Sequence, residues 1–390
     1  MWSRGALTVA VLLALASPAR AAAGRPLTVG YDSPAALAGV RVLARIPALR
    51  AAVVAPGDAP ALRGRPGIRF VEPARRRRHL GRLAEAAPNA VLAAEWEYAA
   101  TRANLVPASV LRAAAAVTIA VVDTGADVSV PELAAKSPAT HDAVTGGDQV
   151  HDATGHGTFV ASVAAGAASG DTLRGFGGDA RLMVVQANRR GEVFDDADEA
   201  AAIVWAVDHG ARIVNLSIGG AETSRVERDA VAYAVAHGVL LVAAAGNSGD
   251  AGNVRSYPAA LLGPHGLAVA ASTAAGARAS FSTAAPYVSI AAPGVRVLGA
   301  TIPSASRATY PRASLGAVQG VYAYATGTSY AAPQVAGAAA LVWAADPSLT
   351  ADGVVRVLER SASGGGAWNP GTGWGVLDVQ AAVAAATNAR

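Results

Sequence analysis

The 390-residue chain contains no cysteine, which excludes a disulfide framework, thiolate metal ligation and a cysteine nucleophile together. Stability must come from packing, hydrogen bonding or bound ions. Long apolar runs are missing as well. The run at residues 7–16 is about half of the roughly 20 residues that cross a bilayer, and the later alanine-rich stretches are amphipathic or broken by Gly, Pro and charge. No membrane anchor is expected. Lysine is absent from residues 1–90, where 14 arginines face 4 acidic residues, while the rest of the chain holds 18 basic and 24 acidic residues. The net charge of +4 is thus a property of the leading segment. The mildly acidic remainder argues against nucleic-acid binding, although Arg75-Arg76-Arg77-Arg78 would otherwise qualify as a basic patch. Also lacking is a Gly-x-Ser-x-Gly elbow with serine ahead of acid and histidine, which sets aside an esterase or lipase of the α/β-hydrolase type.

What is present suffices for a large core: 52% of the residues are hydrophobic, and the length allows two or more domains. Arg4 ahead of the apolar run and Ala19-Arg20-Ala21 behind it mark residues 1–21 as a secretory signal peptide. A secreted product follows. Further on, short apolar runs at residues 117–122 (VTIAVV), 212–216 (RIVNL) and 239–245 (VLLVAAA) alternate with helical stretches at 196–209 and 224–237, each closed by a glycine. That alternation predicts an α/β fold with a mainly parallel central sheet flanked by helices. Asp123, Ser217 and Asn247 each stand at the end of one of these runs, the edge at which open α/β sheets gather their sites.

The segment Gly327-Thr328-Ser329-Tyr330-Ala331-Ala332-Pro333 leads into an apolar helix, whose free N–H groups and dipole would stabilise negative charge beside Ser329. Taken alone it reads more readily as an ordinary helix cap. Asp123-Thr124-Gly125 and Gly155-His156-Gly157-Thr158 change the balance, because nucleophilic serine chemistry needs a base and an acid that fixes the base's tautomer.

With those motifs the chain resembles the subtilisin-like serine proteases, or subtilases, in which the order Asp, His, Ser is known from subtilisin itself. Here the order is Asp123, His156, Ser329. The resemblance runs from about residue 95 to the C-terminus and implies a three-layer fold. It makes Asn247, in Gly246-Asn247-Ser248-Gly249, an oxyanion donor beside the Ser329 N–H, with a minor part for the Thr328 hydroxyl. It also implies that Ser217, Ile218 and Gly219 pair with an extended substrate, and that Ala244, Gly246 and Ser256 surround a pocket for an uncharged side chain.

By the same likeness residues 22–85 form a small α+β propeptide and residues 86–390 the catalytic domain, with residues 67–73 as the propeptide's last strand and Trp96 as a packing anchor. The tetra-arginine run is read as a solvated linker in preference to a processing site. Opposite charges on the two parts favour docking, through a modest and salt-sensitive term. Val130, Phe159, Ser162 and Gln334 depart from the common family pattern. The segment 169–179 lacks the family's asparagine-bearing calcium loop, and Asp195, Asp196, Asp198 and Glu199 are read as dipole partners of a helix start. No metal site is assigned and no cofactor is required, with calcium left open. The expectation is a secreted, monomeric, self-processing serine endopeptidase whose partners are polypeptide substrates and its own propeptide; the alternative is a catalytically silent peptide-binding homologue.

Overall fold

The computed structural model describes residues 24–81, 95–168, 173–191, 193–313 and 320–388. The expected signal at residues 1–21 and the domain boundary at residue 85 lie outside the described residues. The leading unit is a four-stranded antiparallel sheet of β1 (Leu27–Tyr31), β2 (Val42–Ile46), β3 (Ala51–Val54) and β4 (Ile68–Pro73), in the order β2-β3-β1-β4. Its own small core gathers Val29, Leu37, Val54 and Leu62.

After β4 the chain does not become a linker. Arg76–His79 forms a fifth strand, β5, which leaves the leader's sheet and pairs with the body of the molecule. A solvated run was the wrong reading because these backbone groups find ladder partners and because the Arg77 side chain is completely buried.

The body is built on seven parallel strands. In chain order they are β6 (Thr118–Asp123), β7 (Ala139–Asp142), β8 (Arg181–Gln186), β11 (Ile213–Leu216), β13 (Leu240–Ala244), β14 (Gly266–Ser272) and β15 (Ile290–Pro293), arranged β15-β14-β13-β11-β6-β8-β7. Three short strands, β9 (Asn188–Arg190), β10 (Val193–Asp195) and β12 (Ile218–Gly219), complete a second sheet with β5, in the order β12-β5-β10-β9.

Burial on both faces explains why β13, and β6 between Thr118 and Asp123, are apolar. Ile119, Val121, Leu240 and Val242 turn to one face, where α1 (His156–Ala165) and α4 (Thr328–Ala345) are buried. Ala120, Val122, Leu241 and Ala243 turn to the other, under α2 (Asp196–Asp208) and α3 (Arg225–Ala236). The three-layer α/β expectation is met. From β6 the chain passes to the edge strand β7 and returns to β8 on one side, then crosses to β11, β13, β14 and β15 on the other, so the direction of winding switches between β6 and β11. A crevice outside the carboxyl ends at this point is where such sheets bind ligands. The leader docks on the α2 and α3 side, where its Ile46, Leu49 and Ala51 join the cluster beneath those helices.

Candidate active site

Asp123 ends β6 at the switch point, and His156 opens α1 behind Gly155. Both are fully buried, and Asp123 Oδ1 lies 2.7 Å from His156 Nδ1 while also accepting the Thr124 N–H at 2.7 Å. The opposite ring nitrogen, Nε2, is buried and makes no hydrogen bond among the described residues. Asp152 locks this corner. Its carboxylate accepts from the N–H groups of Thr154, Gly155 and Thr158 and from the hydroxyls of Thr124 and Thr158, tying the end of β6 to the start of α1. No sequence motif had singled it out, although an acid shortly before Gly155 is a recognisable turn and cap signal.

Ser329 sits in the first turn of α4. Pro333, four residues later, has no N–H to offer the Ser329 carbonyl, and the Ser217 hydroxyl donates to that carbonyl instead at 2.8 Å. In return the Ser329 hydroxyl donates to the Ser217 carbonyl at 2.9 Å. Asn247 reaches across from the loop after β13. Its side-chain oxygen accepts from Thr328 N–H at 3.0 Å and Thr328 Oγ1 at 2.9 Å, which fixes its amide NH2 toward the cleft.

The cleft holds the chain's own leader. β5 lies between β12 and β10, with Gly219 opposite Arg78, Ile218 opposite His79 and Phe194 opposite Arg77. Leu80 continues the strand: its N–H donates to the Ser217 carbonyl at 3.2 Å, and its carbonyl accepts the Asn247 amide. The His79 ring stacks on His156 with centroids 4.4 Å apart. Leu80 stands at the mouth of a 230 Å³ cavity lined by Gly219, Gly246, Asn247, Val254, Arg255 and Ser256. Gly327, at φ +148°, is required here, since a Cβ would lie 2.3 Å from the Leu80 carbonyl oxygen.

A peptide backbone is thus held by β-type pairing, with one carbonyl on a side-chain amide and a buried Asp–His pair and a helix-terminal serine alongside. Residues 114–375 match the sequence profile described as the Subtilase family. The chain belongs to that family. It is similar to subtilisin DY of Bacillus licheniformis, 33% identical over 270 residues that cover 68% of this chain and 90% of that one. Fervidolysin of Fervidobacterium pennivorans is 33% identical over 284 residues, covering 68% of this chain and 40% of that protein. The crystal structure of fervidolysin, described as a keratinolytic enzyme related to subtilisin, superposes with a TM-score of 0.78 at 25% identity, covering 92% of this chain and 61% of that one. Over the first curated relatives, fervidolysin and a thermophilic serine proteinase of a Bacillus strain, the match spans 40% and 51% of their length.

In this subtilase, Ser217, Ile218, Gly219, Gly246, Asn247 and Ser256 all border the leader or its cavity. Two expected residues do not. Ala244 faces the core layer of α1 and α4, because alternation along β13 turns it away from the cavity. The Thr328 hydroxyl is directed at Asn247 and not at the Leu80 carbonyl. The departures from the family pattern are absorbed locally: Val130 and Phe159 lie in the main core, Ser162 Oγ accepts the Ala300 N–H at 3.0 Å, and Gln334 Nε2 donates to the Pro293 carbonyl at 2.7 Å. Among the described residues no group of three or more His, Asp or Glu could hold a metal ion. The acids around α2 meet arginines instead. Asp196 accepts the Arg75 N–H, Asp198 lies 2.7 Å from Arg189 Nε, and Glu199 lies 3.2 Å from Arg77 Nε, so they do more than complement a helix dipole. Burial pushes the Asp198 carboxyl up to about 6 against the pull of Arg189. No described helix is long and apolar enough to cross a membrane.

Proposed function

We propose that this subtilase is an exported serine endopeptidase made as a precursor, and that it cuts its own chain between Leu80 and Gly81. The observation that carries the reading is the Leu80 carbonyl accepting the Asn247 amide while the Leu80 N–H pairs with Ser217. That is the posture of a peptide about to be attacked, or just cut. Ser329 Oγ attacks the carbonyl, His156 Nε2 takes its proton, and Asp123 on Nδ1 holds the ring in one tautomer and stabilises its cationic form. The Asn247 amide and the Ser329 N–H carry the oxyanion. His156 returns the proton to the leaving amine, and water repeats the sequence on the acyl-enzyme. Ser329 Oγ donates to the Ser217 carbonyl here, and the proton transfer requires it to turn from that carbonyl to Nε2.

The proposed cut falls ahead of the boundary at residue 85 that the sequence suggested. Export rests on residues 1–21 and makes polypeptides outside the cytoplasm the substrates, with an apolar residue in the cavity that Leu80 enters. To test this, wild type and Ser329→Ala are expressed as full chains. Wild type yields a new N-terminus at Gly81 and reacts with a fluorophosphonate at Ser329; the variant stays uncut and unlabelled. A wild-type chain that neither processes nor labels would favour the silent peptide-binding homologue.

A further inference from the structure

Arg77 is the most deeply buried charge that the leader brings into the cleft. Its side chain is wholly shielded, as are those of Glu199 in the first turn of α2 and Glu227 in the first turn of α3. Arg77 Nε hydrogen bonds to Glu227 Oε1 at 3.0 Å and lies 3.2 Å from Glu199 Oε2; Nη2 is 2.8 Å from Glu227 Oε1, and Nη1 donates to the Arg76 carbonyl at 3.1 Å. The carboxylates belong to the body and the guanidinium to the leader. Alternation along β5 sends Arg77 inward while Arg76 and Arg78 stay exposed, so the pocket is addressed by one register position of the bound strand.

Two further observations mark a built pocket. Gly220 forms its wall, and a Cβ there would lie 2.6 Å from the Arg76 carbonyl and 3.0 Å from Arg77 Nη1, so a side chain would obstruct the entry. Glu199 Oε1 is buried and has no hydrogen-bond partner among the described residues. Removing the leader would leave two carboxylates, with Asp196 nearby, facing an opened pocket without the cation that meets them. A substrate side chain that refills the pocket shuts them from water again, and because uncompensated buried charge is strongly unfavourable, a cationic occupant is favoured over any other.

We infer that Glu199 and Glu227 form a guanidinium subsite that selects substrates carrying arginine three residues ahead of the residue whose carbonyl is attacked. The inference rests on the endopeptidase reading and deepens it. Arginine outranks lysine here, because Nε hydrogen bonds to Glu227 beside Glu199 while Nη1 donates to the Arg76 carbonyl on the far side of the guanidinium, a span that a single ammonium cannot cover. Selection is by side-chain charge at this one position, added to the sequence-tolerant backbone pairing of β12 and β10.

The test uses enzyme processed from the full chain and internally quenched peptides X-Arg-His-Leu-Gly, with X as Arg, Lys, Ala or Glu. The Arg peptide is expected to exceed the Ala peptide in kcat/KM by about thirtyfold or more, with Lys between them and Glu lowest. In the Glu199→Gln/Glu227→Gln chain the Arg-to-Ala ratio should collapse toward one. Equal rates for Arg and Ala peptides, with fluorophosphonate labelling of Ser329 intact, would overturn the subsite and leave the endopeptidase standing. Absence of both cleavage and labelling would remove the endopeptidase reading and the subsite with it. The wild-type panel decides the matter even if the double variant fails to fold.

Discussion

Ser217 serves Ser329 twice, once through its hydroxyl and once through its carbonyl. The first contact exists because of Pro333, which deprives the Ser329 carbonyl of a helical donor. Ser217→Ala therefore leaves a buried carbonyl unpaired and should cost about 1–3 kcal/mol of stability. Pro333→Ala in the same chain restores an N–H at the right position and should recover part of that loss. Chemical denaturation of the single and double variants measures both, and an equal loss with and without Pro333 would contradict the link. At this scale much was legible in the sequence. Asp123, His156, Asn247 and Ser329 could be named because each ends a strand or opens a helix, whereas Asp152 was passed over, since its local turn and cap signal does not show that it also accepts the Thr124 hydroxyl from just past the end of β6. Ala244 was misassigned because a strand buried on both faces does not reveal which way any one residue points.

Among the elements, the three parallel runs β6, β11 and β13 were readable because apolar residues fill both faces. β5 was not. An arginine run has neither apolar period nor turn signal, and what orders it is backbone pairing with β12 and β10 and carboxylates more than a hundred residues away. Its hold on the body should depend on pH. Burial, ahead of mutual repulsion or the attraction of Arg77, keeps the Glu199 carboxyl above the usual range; Glu227 is raised too, by burial against Arg77. Asp196 adds to the repulsion at both. Release opens the pocket to water. That removes the burial that is the first cause of both upward shifts, along with the attraction of Arg77, so the carboxyls fall back toward the ordinary range; association takes up protons and release gives them back. Leader binding is therefore fully favoured below the ordinary carboxylate range and weakens as pH rises through the raised values of the bound state. Gel filtration of the processed wild type should show more retained leader at mildly acidic than at neutral pH. Arg77→Ala, which buries both carboxyls without a cation, should retain the leader less at neutral pH and depend on pH more steeply, and wild-type retention that falls on acidification would contradict the argument.

Across the whole molecule, a basic leader covers an acidic body, and among the described residues the solvent-accessible ion pairs between the two include Arg75 with Glu222 at 2.6 Å and Arg225 with Glu72 at 3.6 Å. Pairs of that kind contribute about 0–1 kcal/mol each and are screened by salt. The apolar seam of Ile46, Leu49 and Ala51 and the shielded Arg77 are not. Added salt should thus lower leader retention by less than about tenfold. A collapse of binding in salt would mean that the charge split, not the seam, holds the two parts together. The split itself was plain in the sequence, while the seam was not, because three apolar residues among many carry no sign of which surface they cover.

The strand lying in the cleft is also a template for chemistry. Arg77-Arg78-His79-Leu80 presents a backbone already in register with β12, a leucine at the cavity mouth and a guanidinium in its acidic pocket. An Arg-Arg-His-leucine aldehyde or boronic acid would place its electrophile beside Ser329 in that same register. Replacing its first arginine by alanine should raise the inhibition constant in step with the substrate panel. The leader would then have supplied, in four residues, the outline of a reversible inhibitor selective for this subtilase.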